Sequence, residues 1–336
     1  MRMLVFRRSE LPDQDSRVAY YRGLFFENPW PDPDVRPIVA VDPAGVLVGF
    51  VGCVARPWSS PGTPLRGAIC TEFMVSPTHR GRGVGSALLR ELFDGPQDFT
   101  ISDRVNDQAR KVYELQGARL VPWASTYWSV SLRPVREAFS VLRGSAARKA
   151  LRVLLAPLAV VLDGLSSPAP TPTDTDASPP TDADELALFV EQLARPGDIR
   201  PLYPGSSLSW LLDRLRGRPF REVITRVVRD SNGPIGSFVV AARADGRAEL
   251  VHLGCTSESA DIVFSHAVQA VARSGATTFG GRLDASVVPV ITRRRIPLTI
   301  GNPWTMMHAR EPSLCAAFLG GRTRLSRLDA EWWMGA

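Results

Sequence analysis

One stretch divides the chain before any fold is considered. Residues 166–184 read SSPAPTPTDTDASPPTDAD, a run of Pro, Ser, Thr and Asp with almost nothing apolar. Such a segment cannot bury enough surface to offset the entropy of ordering it, so it reads as a linker. The 336-residue chain is left in two parts, each about the size of one domain, roughly 100–200 residues. The expected organisation is a domain over residues 1–134, a helical connector over 135–165, the linker over 166–181 and a second domain over 182–336.

Both parts carry alternating strand and helix patterns. In the first, MLVFRRS reads as a strand and residues 15–26 as an aromatic-rich helix. RPIVAVD and VLVGFVGCVA are apolar runs around the turn PAG, a hairpin signal, and AICTEFMVSP is a fourth strand. Val84, Ala87, Leu88 and Leu92 fall at helical spacing, and DFTIS follows as a fifth strand. Asn106 is placed as an N-cap and Gly117 as the residue beyond the C-terminus of a helix that puts Ala109, Val112 and Tyr113 on one face. TYWSVSLRP is expected to close this half. In the second part Asp182 and Glu185 form a capping box. EVITRVVRDSNGPIGSFVVAAR is a hairpin turning at Asn232-Gly233, and AELVHLGC, DIVFSHAVQAVARSG and ATTFGGRLD then read strand, helix, strand. The architecture repeats although the sequence does not.

Composition narrows the classes. Apolar residues are 44% and charged residues 22%, and the net charge of +6 is carried almost wholly by arginine. That excess suits an anionic ligand and is too diffuse to argue for DNA. The four histidines are scattered, so no metal-ligand spacing appears. Cys53, Cys70, Cys255 and Cys315 include no C-x-x-C and read as free thiols of a reducing compartment. The N-terminus has no apolar signal core, and the apolar run VLLAPLAVVL contains Pro157. It falls short of the roughly 20 residues of a membrane span, so a cytoplasmic protein is expected. The basic-then-apolar segment 133–162 is read as packing on its own domain, with a membrane surface as the alternative.

Residues 79–89, HRGRGVGSALL, carry the chemistry. Glycines before a helix let an anion approach free backbone N–H groups at the positive end of the helix dipole. No lysine is present for a G-x-x-x-x-G-K-S/T loop, and Gly81, Gly83 and Gly85 do not have the G-x-G-x-x-G spacing of a dinucleotide fingerprint. RGRGVG does match R-x-x-G-x-G, and NDQARKVYELQGA, residues 106–118, matches N-x-x-A-x-x-x-Y-x-x-x-G-F/A. On these two motifs the first half resembles the GNAT superfamily of acyl-CoA N-acyltransferases. The resemblance implies an α/β (α+β) fold with a mixed, mostly antiparallel central sheet flanked by helices. The second half resembles a degenerate copy in tandem.

The resemblance implies acetyl-CoA, or another acyl-CoA, as donor and no metal. Arg80, Gly81, Arg82, Gly83, Val84, Gly85 and Ser86 would hold the pyrophosphate, chiefly through backbone N–H groups. Phe73, Met74 and Val75 would pair with the pantetheine arm, and a bulge there would aim an N–H at the thioester oxygen. Asn106 lies where the family contacts pantetheine or orders a strand splay. Tyr113 lies where the family often has its general acid; alternatively it fills a helix face. A phenol of pKa about 10 can return a proton to a thiolate of pKa about 8.5. Glu72 is the candidate base, with a salt-bridge role as the alternative, and His79 is expected to contact phosphate or solvent.

At the matching place the second half has GCTSESAD, where Glu258 and Asp261 would repel a pyrophosphate. No coenzyme is expected there. The tryptophans of LSRLDAEWW either anchor a last strand or line an acceptor site, and residues 20–30 are another candidate acceptor wall. The leading expectation is direct acetyl transfer to the amine of a small molecule or aminosugar, since no activated Cys or Ser nucleophile is evident. An aminoacyl-tRNA-dependent transferase is an alternative that the intact phosphate loop argues against. A non-catalytic acyl-CoA-binding or scaffold protein is the other.

Overall fold

The computed structural model describes residues 13–133, 174–179, 184–187, 197–218 and 220–334. The strand expected at the N-terminus, the helical connector and Asp182 of the capping box lie outside these residues. In chain order the elements are α1 (Gln14–Phe25), β1 (Ile38–Val41), β2 (Leu47–Ser60), β3 (Thr63–Val75), α2 (Val84–Phe93), β4 (Phe99–Val105), α3 (Asp107–Leu115), β5 (Arg119–Leu120) and β6 (Thr126–Ser131). There follow β7 (Asp176–Ser178), β8 (Arg200–Pro201), α4 (Ser207–Arg216), β9 (Glu222–Asp230), β10 (Gly233–Ala242), β11 (Arg247–Cys255) and α5 (Ala260–Arg273). The last are β12 (Thr278–Arg282), α6 (Val288–Arg294), β13 (Leu298–Ile300), β14 (Trp304–Ala309), α7 (Pro312–Leu319) and a 3₁₀ turn, Glu331–Trp333.

The elements form two compact units, each with its own mixed sheet. The first unit draws on Met1–Thr126, Ala194–Arg218 and Ile300–Ala336, and the second on Tyr127–Leu193 and Pro219–Thr299. Neither unit therefore runs between the boundaries expected at 134 and 182. The first sheet has the order β1-β2-β3-β4-β14-β5, with β8 paired to β2. Only β3 and β4 are parallel among its pairs. The second has the order β13-β6-β12-β11-β10-β9-β7, with β11 and β12 parallel.

Each sheet takes a strand from the far half of the chain. TYWSVSLRP was expected to close the first sheet, but its strand β6 pairs with β12 of the second. Residues 304–309 instead pair with β4 as β14. The glycines of β12 account for one side of this exchange. A Cβ at Gly280 would stand 2.8 Å from the carbonyl oxygen of Trp128, and one at Gly281 would stand 3.1 Å from its ring. Trp128 then packs on Phe264 and Phe279, with ring centroids 5.4 and 5.2 Å away, inside the second core. A second departure lies within the expected linker. Asp176–Ser178 forms β7 on the edge of β9. Ser178 Oγ accepts a hydrogen bond from Arg229 at 2.6 Å, and Thr175 Oγ1 lies 2.9 Å from His266 Nε2. Polar side chains thus hold this strand beside the single apolar contact of Ala177 with the core.

In the first unit α2 and α3 cover one face of the sheet. Leu88, Leu89, Leu92 and Phe93 of α2 are buried against Val51, Cys53, Ala68 and Cys70. Burying each such side chain contributes about 1.5–3 kcal/mol. Gly49 lets α2 come close, since a Cβ there would lie 2.8 Å from Leu88 and 2.9 Å from Val84. Trp58, Phe99 and Phe318 form a second aromatic group, with centroids 5.3 Å apart for the first two and 4.9 Å for the last two. β2 is covered on both faces, by α2 at Val51 and Cys53 and by Phe25 of α1 at Phe50 and Gly52, so its run is nearly continuous in burial. The expected last strand at the tryptophans is absent: Glu331–Trp333 is a 3₁₀ turn, and Trp333 is buried with its ring 5.5 Å from Trp210.

Candidate active site

The site begins where β3 and β4 part. Their parallel ladder runs from Gly67–Phe99 to Ile69–Ile101 and then stops. From Cys70 onward the β4-facing edge of β3 has no strand against it among the described residues. On its other side β3 pairs with β2, and there the register slips: Gly52 faces Thr71 while Phe50 faces Met74. Glu72 and Phe73 thus oppose a single residue, Val51, in a β-bulge. Glu72 has φ +53°, a conformation that costs a non-glycine residue about 1–3 kcal/mol and clusters at functional positions. The open edge of Phe73, Met74 and Val75 offers backbone groups to an extended ligand, in the manner of an added strand.

This edge leads into the glycine turn. Gly81 and Gly83 have φ of +75° and +81°, and Gly83 is the N-cap of α2. A Cβ at either would meet nothing within 4 Å. These glycines are required by backbone conformation, and the space above them is open to an anion. The helical ladder starts with Ala87 N–H donating to the Gly83 carbonyl at 2.9 Å. The N–H groups of Val84, Gly85 and Ser86 precede that ladder and point out of the helix end. Gly85 has a further role, since a Cβ there would press on the Phe73 ring at 3.2 Å. Arg80 and Arg82 are exposed, and Arg80 Nε donates to the Val75 carbonyl at 3.4 Å. His79 is turned to its neighbour, with Nδ1 3.0 Å from Thr78 Oγ1. The residues present therefore fit a pyrophosphate.

Asn106 is the N-cap of α3, with Oδ1 accepting from Ala109 N–H at 2.8 Å. The helix it starts carries Tyr113 to the parting of the strands. Tyr113 is 2% exposed and edge-on to Phe73 and Phe93. Its hydroxyl lies 2.9 Å from Cys70 Sγ. Burial, with Cys70 and Glu331 adding, pushes the phenol well above its ordinary pKa. Burial, with Glu331 adding, likewise pushes up the Cys70 thiol. Cys70 is thus a neutral hydrogen-bonding neighbour and a poor nucleophile.

Three carboxylates gather at the same place. Glu331 N–H donates to Asp103 Oδ1 at 3.0 Å, which fixes the 3₁₀ turn against β4. Glu331 is buried, and Glu72 lies within electrostatic reach. Burial first, then Asp103 and Glu72, outweigh Arg104 and push the Glu331 carboxyl up to about 8. Nothing local in AEWW signals this. Glu331 and Asp103 are 228 residues apart in sequence, and only tertiary structure brings them together. Beside them Tyr20 of α1 donates from its hydroxyl to the Met334 carbonyl at 2.6 Å. Residues 20–30 do approach this region, and Trp30 itself is buried on Trp210 at 5.6 Å.

The second unit has no equivalent turn. Between β11 and α5 the Ser259 hydroxyl donates to the Ile235 carbonyl at 2.8 Å and lies 3.2 Å from Thr256 Oγ1. Asp261 stands in the first turn of α5 and is paired with Arg293 and Arg294. The helix end is filled by its own side chains. Among the described residues no group of His, Cys, Asp and Glu has the arrangement of a metal site, and no helix is long and apolar enough to cross a membrane.

Residues 3–118 match the family model of the acetyltransferase (GNAT) family. No curated protein matches the chain in sequence. Solved structures share its fold. A GCN5-related N-acetyltransferase from Kribbella flavida superposes with a TM-score of 0.53 at 17% identity, covering 90% of this chain and 67% of that one. A GCN5-related N-acetyltransferase from Anabaena variabilis gives 0.53 at 14% identity, over 92% and 69%. Eis1 from Mycobacterium abscessus gives 0.50 at 14% identity, over 92% and 74%. At these identities the likeness concerns the fold.

Proposed function

From the premise that residues 3–118 are an acyltransferase domain of the GNAT family, we propose that the chain transfers an acetyl group from acetyl-CoA to the amine of a small molecule or aminosugar. The observation that carries this reading is the continuity of the open β3 edge with the turn at Gly81 and Gly83. The pyrophosphate sits on the N–H groups of Arg82, Gly83, Val84, Gly85 and Ser86, with Arg80 and Arg82 supplying charge. The pantetheine arm lies along Phe73–Val75, and the bulge at Glu72–Phe73 turns an N–H toward the thioester oxygen. That donor stabilises the charge developing there during attack.

Transfer is direct. The amine nitrogen bonds to the thioester carbon as the carbon–sulfur bond breaks. Tyr113, protonated throughout the working pH range, returns a proton to the leaving thiolate. The amine's proton goes to a carboxylate at the parting of the strands, where Glu72 and Glu331 both stand. The second unit carries no coenzyme. Calorimetric titration with coenzyme A tests the reading: binding is expected to the native protein and to be lost in Gly83→Glu. No binding, or equal binding by both proteins, sinks it.

A further inference from the structure

We propose that Cys70 positions the Tyr113 hydroxyl to protonate the leaving thiolate. The proposal rests on the acyl-transfer reading above and deepens it. Its ground is a contact at the parting of the strands. Cys70 is the first residue of β3 beyond the last parallel pair, Ile69–Ile101, and its Sγ lies 2.9 Å from the Tyr113 hydroxyl. Both side chains are buried. The Tyr113 ring is held edge-on by Phe73, with centroids 5.7 Å apart, and by Phe93, 6.0 Å apart. Packing on two sides thus fixes the ring, and what is left to set is where the hydroxyl hydrogen points. Val51, Ala68 and Leu88 share the same core. Among such neighbours a thiol packs as a small apolar group and still bonds to a hydroxyl.

A thiol and a phenol are each donor and acceptor, so this bond can run in either sense. In the resting site the phenol is the stronger donor and gives its hydrogen to Sγ. The coenzyme's thiolate is a charged acceptor, and hydrogen bonds to charged acceptors are about twice as strong as neutral ones. The phenol hydrogen therefore turns to the thiolate, and the Cys70 S–H turns to the phenol oxygen. Burial pushes the Cys70 thiol up, so its hydrogen stays on sulfur throughout. The steps balance. The amine nitrogen bonds to the thioester carbon as the carbon–sulfur bond breaks, and the Tyr113 proton goes to the leaving sulfur. The proton released by the amine is taken by the carboxylate and then restores the phenol. Cys70 neither gains nor loses a proton, and the net reaction is amine plus thioester giving amide plus thiol. Cys70 is thus a positioning residue, acting through Tyr113.

The test uses the full-length protein, acetyl-CoA and a panel of amines. Valine and alanine fill the place of the thiol without hydrogen-bonding, whereas a serine hydroxyl bonds in both senses. Cys70→Val and the smaller Cys70→Ala are each expected to lower kcat about 10-fold, the size of one lost hydrogen bond. The KM for acetyl-CoA and the dissociation constant of coenzyme A should stay as in the native protein. Cys70→Ser is expected to recover most of the loss, to within about 3-fold of native. In a Tyr113→Phe background neither Cys70→Val nor Cys70→Ala should cost anything more. The infrared S–H stretching band that Cys70→Val removes should move in Tyr113→Phe. Full kcat in Cys70→Val and Cys70→Ala, an equal loss in both backgrounds, or an unmoved band overturns the proposal. Full turnover in Tyr113→Phe overturns the acid role of Tyr113 and the proposal with it. Native protein that binds coenzyme A and acylates no amine overturns the acyl-transfer reading itself, which the intact Tyr113 enzyme distinguishes from a failure of Cys70 alone.

Discussion

The two units run the same strand–turn–helix connection to opposite ends. After β3 the chain passes through two left-handed glycines and leaves the N-terminus of α2 bare. After β11 it passes through Thr256 and Ser259, which bond to each other, and Asp261 is set into the first turn of α5. Both helices carry the same dipole, so the dipole does not make the site. What differs is whether the N–H groups are left for a ligand and whether the nearest side-chain charge invites an anion. A few residues at one turn thus separate a helix end left open to an anion from one occupied by its own side chains.

The largest expected effect contrasts the two turns directly. Gly83→Glu places a side chain and a negative charge on the open N-terminus, and coenzyme affinity should fall at least about 100-fold. Glu258→Arg in the other turn should leave affinity and stoichiometry as they are. A second coenzyme bound by the native chain would break the comparison. Next comes Tyr113→Phe. Removal of the hydroxyl should lower kcat about 100-fold with coenzyme affinity unchanged; full turnover at every pH would take Tyr113 out of the chemistry.

The third expectation concerns stability. The buried carboxyl of Glu331 binds its proton more tightly in the folded chain than in the unfolded one, since its value rises from 4.5 to about 8. Stability from this group is therefore complete below about pH 4.5 and lost as pH rises toward 8. The thermal midpoint should fall across that window, and Glu331→Gln should flatten the fall. An equal decline in both proteins would assign it to other groups. The smallest effect is Asn106→Ala, which removes the cap of α3 and should cost about 1 kcal/mol by denaturant unfolding.

The local parts of this molecule were legible in its sequence. The hairpin at Asn232-Gly233, the helix from Val84 to Phe93 and the Asn106 cap each follow from residues within a turn or two of one another. The resemblance implies a bulge within Phe73–Val75, and the register slips one residue earlier, at Glu72–Phe73. The partner of a strand was not legible. TYWSVS has strand character whichever sheet receives it, and the Gly280 and Gly281 that admit it lie about 150 residues on. For the same reason Asp103 reads as one residue of a strand, and Glu331 as one charge in a C-terminal stretch. Their proximity is a property of the tertiary fold.

The exchanged strands bear on how the protein is made. As the chain leaves the ribosome, residues 1–126 cannot finish their sheet, because the place between β4 and β5 waits for residues 304–309. Until then β4 presents a bare edge to every other nascent chain. The first unit, although encoded first, matures last, and a chain truncated before β14 should be held by chaperones or aggregate instead of yielding a smaller folded protein.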